Sequence, residues 1–267
     1  MGWLLERETI PIAGRDDLVI QVTDDGSRTL VNPNDGLAFH SASGARTETE
    51  HVYLHNSGVS DRLAKGLKTR VLEIGLGTAL GMLMTVDRAV TARCALHYHA
   101  WELKLLEADL FEMLNLGTSV KHSWLVESFV SWRKTLGNEL APGEYQWTIP
   151  ARGSSTHSTD QIVVILCVGD WLKSNVSGLA AVDAVYYDPF APAANPELWQ
   201  VASLARMRQL LTLDGRLTTY CVSREVRDRF SEAGFRVTKV RGPKGGKREV
   251  LIATPSVSLS ASPPCHG

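Results

Sequence analysis

The sequence predicts an α/β fold: a largely parallel sheet closed by a C-terminal antiparallel hairpin, with a small β appendage in front. Three observations predict it. The branched apolar run Val71–Ile74 passes straight into the turn Gly75-Leu76-Gly77-Thr78 and then into a helical stretch, as a strand covered on both faces and followed by a crossover helix does. Apolar runs of strand length then alternate with helical stretches as far as Gly234, the pattern of βαβ units. Last, the short connection Gly242–Arg248 joins two strand-like runs, Phe235–Arg241 and Glu249–Ala253. It is too brief for a crossover, so those two pair antiparallel.

In chain order, Thr9 to Val31 alternates apolar and polar residues around Gly14-Arg15-Asp16-Asp17 and Asp24-Asp25-Gly26-Ser27, which reads as short strands and hairpin turns. Residues 1–35 are therefore expected as the β appendage and 36–253 as the main domain. A disordered tail rich in Ser, Pro and Ala is expected from 254 onward. Ala38–Val59 is polar and aromatic without a helical period. It is expected either as a loop and helix start or as a segment folded over a ligand, and its histidines His40, His51 and His55 have no metal-binding spacing. Helices are expected over Thr78–Arg88, Leu103–Leu114 and Lys121–Leu140. The last carries a core stripe of Trp124, Leu125, Phe129, Trp132 and Leu136. Strands are expected over Ala95–Glu102, Tyr145–Pro150, Ile162–Val168 and Ala181–Tyr187, with a polar turn over Arg152–Gln161. Pro196 is placed to begin a helix. Leu211–Gly215 should turn into a strand over Arg216–Val222, and Ser223–Gly234 reads as a helix closed by its glycine.

The candidate site residues are those at the strand ends. Gly75 and Gly77 permit backbone angles or a ligand approach that a side chain forbids, while Gly81 lets the following helix lie close to the sheet. Glu73, just ahead of the turn, repels phosphate and suits a ligand bearing positive charge. Glu102 ends a strand some way beyond the glycine turn, where a carboxylate binds ribose hydroxyls; it equally suits the first turn of a helix. Asp170 follows Ile162–Val168 and either accepts from an adenine amino group, with Trp171 on the ring, or caps a helix. Asp188 ends a strand at a loop stiffened by Pro189 and Pro192, more than a cap requires.

Composition narrows the class. The 267 residues are 44% hydrophobic with a formal net charge of -1, enough for one sizeable core and unlike a strongly basic nucleic-acid binder. Arg224, Arg227, Arg229, Arg236, Lys239, Arg241, Lys244, Lys247 and Arg248 nevertheless crowd the C-terminal part. They form either a local phosphate-binding face or ordinary solvated charge. Cys94, Cys167, Cys221 and Cys265 are scattered, with neither disulfide-framework nor metal spacing. That is the usage of reduced thiols in the cytoplasm. The start of the chain lacks the pattern of a secretory signal, and no apolar run approaches the roughly 20 residues that span a bilayer.

Several blocks together carry a resemblance. Asp188-Pro189-Phe190-Ala191-Pro192-Ala193-Ala194-Asn195-Pro196-Glu197-Leu198-Trp199 closely resembles the Asp-Gly-Phe-Ala-Pro-x-x-Asn-Pro-x-x-Trp signature of the tRNA 5-aminomethyl-2-thiouridine methyltransferase family. Glu48–Tyr53, Glu73–Thr78, Gly169-Asp170 and Lys247–Leu251 resemble it as well, in order, over roughly Phe39 to Ala253. The resemblance implies a Rossmann-like class I methyltransferase sheet using S-adenosyl-L-methionine. It implies N-methylation of 5-aminomethyl(-2-thio)uridine at the tRNA wobble position, with no metal, no membrane and a functional link to the enzymes that make the aminomethyl group. Some members carry a second, flavin-dependent oxidase domain; a chain of this length is expected to be the stand-alone transferase. By the same resemblance Gly75, Gly77 and Thr78 line the methionine part of the cofactor, Glu102 its ribose and Asp170 its adenine, with Glu73 and Glu50 near the amino acid end. Asp188 orients the amine and takes its proton, and Phe190, Pro192, Lys247 and Arg248 meet the substrate. Pro189 replaces the family's Gly, and Gly245-Gly246 changes the spacing of the tail. A small-molecule or protein N-methyltransferase, or a non-catalytic cofactor-binding partner subunit, are the other readings of the same scaffold.

Overall fold

Residues 7–149 and 162–256 are described by the structure, a computed structural model. Three antiparallel strands, β1 (Thr9–Ile12), β2 (Arg15–Val22) and β3 (Arg28–Val31), form the expected small sheet. The main sheet has eight strands: β4 (Thr69–Ile74), β5 (Leu96–Glu102), β6 (Gly143–Trp147), β7 (Ile162–Val168), β8 (Val182–Tyr187), β9 (Leu211–Thr219), β10 (Phe235–Arg241) and β11 (Glu249–Pro255). Their spatial order is β10-β11-β9-β8-β4-β5-β7-β6. The pairs β7–β5, β5–β4, β4–β8 and β8–β9 are parallel, while β6 and the β10–β11 hairpin run antiparallel at the two sides. After β4 the chain builds outward through β5 and β7, then returns to lay β8 on the other side of β4. That reversal opens a crevice at the carboxyl ends of β4 and β8, the place where open sheets of this type bind ligands.

Neighbouring residues on a strand point to opposite faces, and both faces here are buried. Val71, Tyr98, Ala100, Val164, Ala184 and Tyr186 pack into one core with the helices α2 (Val59–Ala64), α3 (Leu80–Ala92) and α5 (Ser123–Thr135), together with Ile12, Ile20 and Leu30 of the small sheet. Leu72, Ile74, Trp101, Val185, Tyr187 and Leu217 pack into the other with α6 (Val201–Leu210) and α7 (Arg224–Glu232). The expected strands over Ile162–Val168 and Phe235–Arg241 have those bounds.

Other boundaries move for local reasons. Ala38–Val59 contains real helix: α1 (Ala45–Thr49) runs into a π-helical turn, Glu50–His55, whose wider spiral erases the 3.6-residue period. Helix α3 begins at Leu80, not Thr78, because Ala79 adopts a left-handed conformation (φ 60°). Between Leu103 and Glu107 there is no helix; α4 spans only Ala108–Met113, since Glu102 takes the amide of Lys104 and bends the chain. Helix α5 stops at Thr135, where Arg133 donates to the Gly137 carbonyl and Gly137 turns left-handed (φ 76°). Pro196 lies in a succession of turns, and the helix starts only at Val201, because side chains pin this loop to the sheet (below). Leu211 is already extended, so β9 leaves α6 directly instead of through a turn. Thr254 and Pro255 belong to β11, paired with β10, and the rest of the expected tail from 257 lies outside the described residues, as does the Arg152–Gln161 turn. Among the described residues no helix is long and apolar enough to cross a membrane, and no group of His, Cys, Asp and Glu could hold a metal ion.

Candidate active site

Four strand ends are tied together by backbone hydrogen bonds. The Asp188 amide donates to the Ile74 carbonyl (2.9 Å), that of Gly75 to Trp101 (2.9 Å) and that of Gly169 to Glu102 (2.9 Å). The ends of β4, β5, β7 and β8 are thus held in one row around the glycine turn. A Cβ at Gly75 (φ 90°) would sit 2.6 Å from the Asp188 carbonyl oxygen, and one at Gly77 (φ 51°) 3.1 Å from Cδ1 of Phe39. Both positions therefore need glycine for its angles and for the approach of a neighbour. A Cβ at Gly81 would meet Glu73 Oε1 at 2.8 Å, which is how closely α3 lies against the sheet.

The carboxylates differ more than their shared positions suggest. Glu73 is 3% exposed and accepts from the Tyr98 hydroxyl at 2.9 Å. Burial raises its pKa well above the ordinary value, reinforced by Asp188 and Glu102. Burial thus favours the protonated form of the carboxyl expected here as an anion, and a cation bound beside it would favour the anion again. Glu102 Oε2 accepts from the Gly77 amide (3.0 Å) and Oε1 from that of Lys104 (3.3 Å); desolvation raises its pKa against those bonds. Asp170 accepts from the Leu172 amide at 2.9 Å as the N-cap of the one-turn 3₁₀ helix Trp171–Lys173. Trp171 does not face an open ring site. It is buried edge-on to Trp101 with the Arg206 guanidinium 4.4 Å from its ring centre. Glu50 does not join the row either. It pairs with Arg88 at 2.7 Å and lines two cavities, of about 350 and 630 Å³, on the α3 side of the π-turn and away from the glycine turn.

Asp188 opens a loop fixed from two sides. Trp199 Nε1 donates to the Phe190 carbonyl (2.9 Å) and the Tyr220 hydroxyl to the Pro189 carbonyl (2.9 Å), while the Tyr187 hydroxyl bonds the Leu198 carbonyl. Phe190 meets Phe39 edge-to-face at 5.2 Å between ring centres, so one aromatic pair spans from the Asp188 loop to Gly77. Pro192 is half-buried on the same loop, and Arg248 is exposed on the β10–β11 turn. Burial lifts the Asp188 pKa well above its ordinary value; the Tyr53 hydroxyl and Lys247 pull it down, and Glu48 lifts it further. The Tyr53 hydroxyl, 3% exposed, is directed at Asp188 without completing a hydrogen bond of regular geometry.

Sequence reasoning had not singled out Phe39, Glu48, Tyr53, Trp199 or Tyr220 for these roles. Glu48 lies near the end of α1 and Tyr53 in the π-helical turn that follows, so a search for one α period does not put them on a common face. What carries this segment is the small sheet. Asp25 Oδ2 accepts from the amide (2.8 Å) and hydroxyl (2.7 Å) of Thr47, and Oδ1 from the Ser27 amide (3.0 Å). Burial raises the Asp25 pKa, but the bonds from Ser27 and Thr47 outweigh it and hold the carboxyl well below the carboxylate range.

The sequence model of a family described as S-adenosyl-L-methionine-dependent methyltransferase matches residues 139–256. The tRNA 5-methylaminomethyl-2-thiouridine biosynthesis bifunctional protein MnmC of Stutzerimonas stutzeri (strain A1501) is 33% identical over 225 residues, covering 81% of this chain and 32% of that protein. The C-terminal half of the chain thus carries the sequence of this methyltransferase family. The MnmC of Burkholderia multivorans is 29% identical over 235 residues, 86% of this chain and 33% of that protein, so the chain spans about a third of the length of these curated relatives. A crystal structure of MNMC2 from Aquifex aeolicus superposes with a TM-score of 0.67 at 20% identity, covering 99% of this chain and 74% of that one, and has the same fold.

The methyltransferase cofactor fits what is present. The Thr78 hydroxyl, on a residue 1% exposed, is a buried group without a hydrogen-bond partner inside the glycine turn. Such a group is costly unless a ligand completes it. Glu73 beneath the turn is a buried carboxyl whose ionisation a bound cation would favour.

Proposed function

We propose that this chain transfers a methyl group from S-adenosyl-L-methionine to the primary amine of 5-aminomethyl(-2-thio)uridine at the wobble position of tRNA. The observation that carries the reading is Asp188: a carboxyl with a raised pKa, at the sheet's switch point, on a doubly pinned aromatic loop and touching the glycine turn. The curated relatives, named for tRNA 5-methylaminomethyl-2-thiouridine biosynthesis, supply the substrate class.

In this reading Gly75, Gly77 and Thr78 hold the methionine part of the cofactor, Glu73 its ammonium, Glu102 its ribose and Asp170 its adenine. S-adenosyl-L-methionine would supply a sulfonium methyl, a carbon to which an amine lone pair can bond as the C–S electron pair leaves on sulfur. Asp188 does the protein's share of the proton chemistry. Its carboxylate accepts from the amine, orients it and takes one of its protons, and a raised pKa suits a carboxylate to that task near neutral pH. Phe190 offers an aromatic face to a base turned out of its stack. Most of the rate comes from alignment, which is why the loop is held by Trp199 and Tyr220.

The partner reading adds an RNA surface. The larger cavity is lined by Arg46, His51, His55, Arg88 and Lys244 beside Glu50, and its wall is the segment whose other side bears Glu48. Phosphates bound there would lead the chain of a tRNA toward Asp188.

The test is methylation of tRNA isolated from cells lacking the modification, read by nucleoside mass spectrometry. Wild type should produce the methylaminomethyl nucleoside. Asp188→Asn should bind cofactor normally and lose about a hundredfold or more in rate. Full activity in that variant removes Asp188 from the chemistry, and methylation of a metabolite with none in RNA removes the tRNA.

A further inference from the structure

Glu48 and Tyr220 stand beside Asp188 and are not explained by cofactor binding. Glu48 is 6% exposed, a depth at which carboxylates need partners. One oxygen, Oε2, accepts from the Ser41 amide at 2.6 Å. The other, Oε1, has the Lys247 ammonium at 3.7 Å, beyond hydrogen-bond length. The same ammonium lies 3.6 Å from the centre of the Tyr220 ring, a cation–π contact. It comes from an exposed turn between β10 and β11, its side chain still 43% exposed, and lies at the mouth of the corner where its charge acts on Asp188. Tyr53, with its hydroxyl directed at Asp188, feels Asp188, Glu48 and Tyr220 together. One corner therefore contains two carboxyls, an aromatic face and a buried hydroxyl with no regular hydrogen bond. A primary alkylammonium is seated in it.

We propose that Glu48 Oε1 and the Tyr220 ring form an ammonium subsite for the acceptor, in which the substrate's aminomethyl group binds in its protonated form, and that Lys247 occupies this subsite when no substrate is bound. This rests on the acceptor reading above. An aminomethyl group and a lysine ε-ammonium are the same chemical group on different stems, so a corner built for one accepts the other. On substrate entry the Lys247 side chain returns to solvent, and the incoming ammonium donates to Glu48 and Asp188. One N–H bond then breaks: its proton passes to the Asp188 carboxylate, giving the neutral acid, and the electron pair stays on nitrogen as the lone pair of the amine. Glu48 recognises the cation, and Asp188 discharges it.

The role of Glu48 separates from that of a brace between α1 and the β10–β11 turn through the pH dependence of acceptor binding. The measurement is methyl transfer to tRNA bearing the aminomethyl group, across pH, with cofactor affinity by calorimetry as the control for folding. Glu48→Gln should raise the acceptor KM about tenfold to a hundredfold near neutral pH with cofactor Kd changed less than about twofold. That penalty should shrink as pH rises and the substrate amine becomes neutral. Glu48→Asp, which keeps the charge, should fall between the two. Lys247→Met removes the resident ammonium and should lower the acceptor KM by up to about fivefold, whereas a brace would be weakened equally by loss of either partner. An acceptor KM in Glu48→Gln equal to wild type, a penalty that does not change with pH, or equal damage from Lys247→Met overturns the subsite while leaving the tRNA reading intact. A wild-type protein that leaves the tRNA unmethylated overturns the acceptor reading itself and this ligand with it.

Discussion

Replacing Glu73 by glutamine should make the cofactor-free protein's stability less sensitive to pH. In the folded chain Glu73 is buried against Tyr98 and Gly81, and burial, then Asp188 and Glu102, raise its pKa well above the ordinary 4.5. The folded state therefore holds a proton that the unfolded state has released. Stability from this group is complete below about pH 4.5 and falls as pH rises toward the folded value, by about 1.4 kcal/mol for each pH unit between the two. Glutamine keeps an oxygen for the Tyr98 hydroxyl and has nothing to ionise. The difference between variant and wild type should therefore widen as pH rises above about 4.5, each kcal/mol of it showing as roughly 2–4 °C in Tm for a chain of this size. Calorimetric melts of both proteins without cofactor read it directly. A constant offset would reflect only the cost of fitting the amide, and parallel curves across that range would refute the buried-acid account of Glu73.

Further substitutions probe the frame around it. Gly75→Ala places a Cβ 2.6 Å from the Asp188 carbonyl oxygen in left-handed backbone; it should cost about 1–3 kcal/mol in strain and weaken cofactor binding measured by calorimetry. Asp25→Ala removes the acceptor of the Thr47 amide and hydroxyl and of the Ser27 amide. A loss of about 1–3 kcal/mol in denaturant unfolding is expected, with faster amide exchange over α1. Trp199→Phe removes the Nε1 bond to Phe190 while keeping most of the ring, and should cost about 1 kcal/mol and lower kcat more than cofactor affinity.

The strand ends were legible in the sequence because their signals are local. A branched apolar run followed by glycines, or by Asp and two prolines, reports burial and a turn from a few residues. The resemblance across separate blocks then named the chemistry. What stayed hidden depends on contacts between distant segments. Glu73 looks like an anion in sequence, and only its burial against Tyr98 and Gly81 raises its pKa. Trp171 next to Asp170 looked available to a ring, but Trp101 and Arg206 enclose it. Glu50 and Glu48 differ by two positions in one motif, yet the helical turn sends the first outward to Arg88 and the second inward to Lys247. The π-helical turn is the clearest case, since its period is invisible to a search for α spacing.

The anchoring of α1 by Asp25 bears on how the chain can be cut. Arg28 of the small sheet also donates to the Met113 carbonyl at 2.7 Å, and Ile20 and Leu30 lie fully inside the main core. A fragment trimmed to begin after β3 would keep the glycine turn, Glu102 and Asp188. It would lose the acid that fastens the segment bearing Glu48 and Tyr53. Such a fragment would retain the cofactor's half of the crevice and lose the order of the acceptor's half, so the small sheet is the scaffold of the substrate pocket and a poor place for a truncation, a fusion joint or a tag.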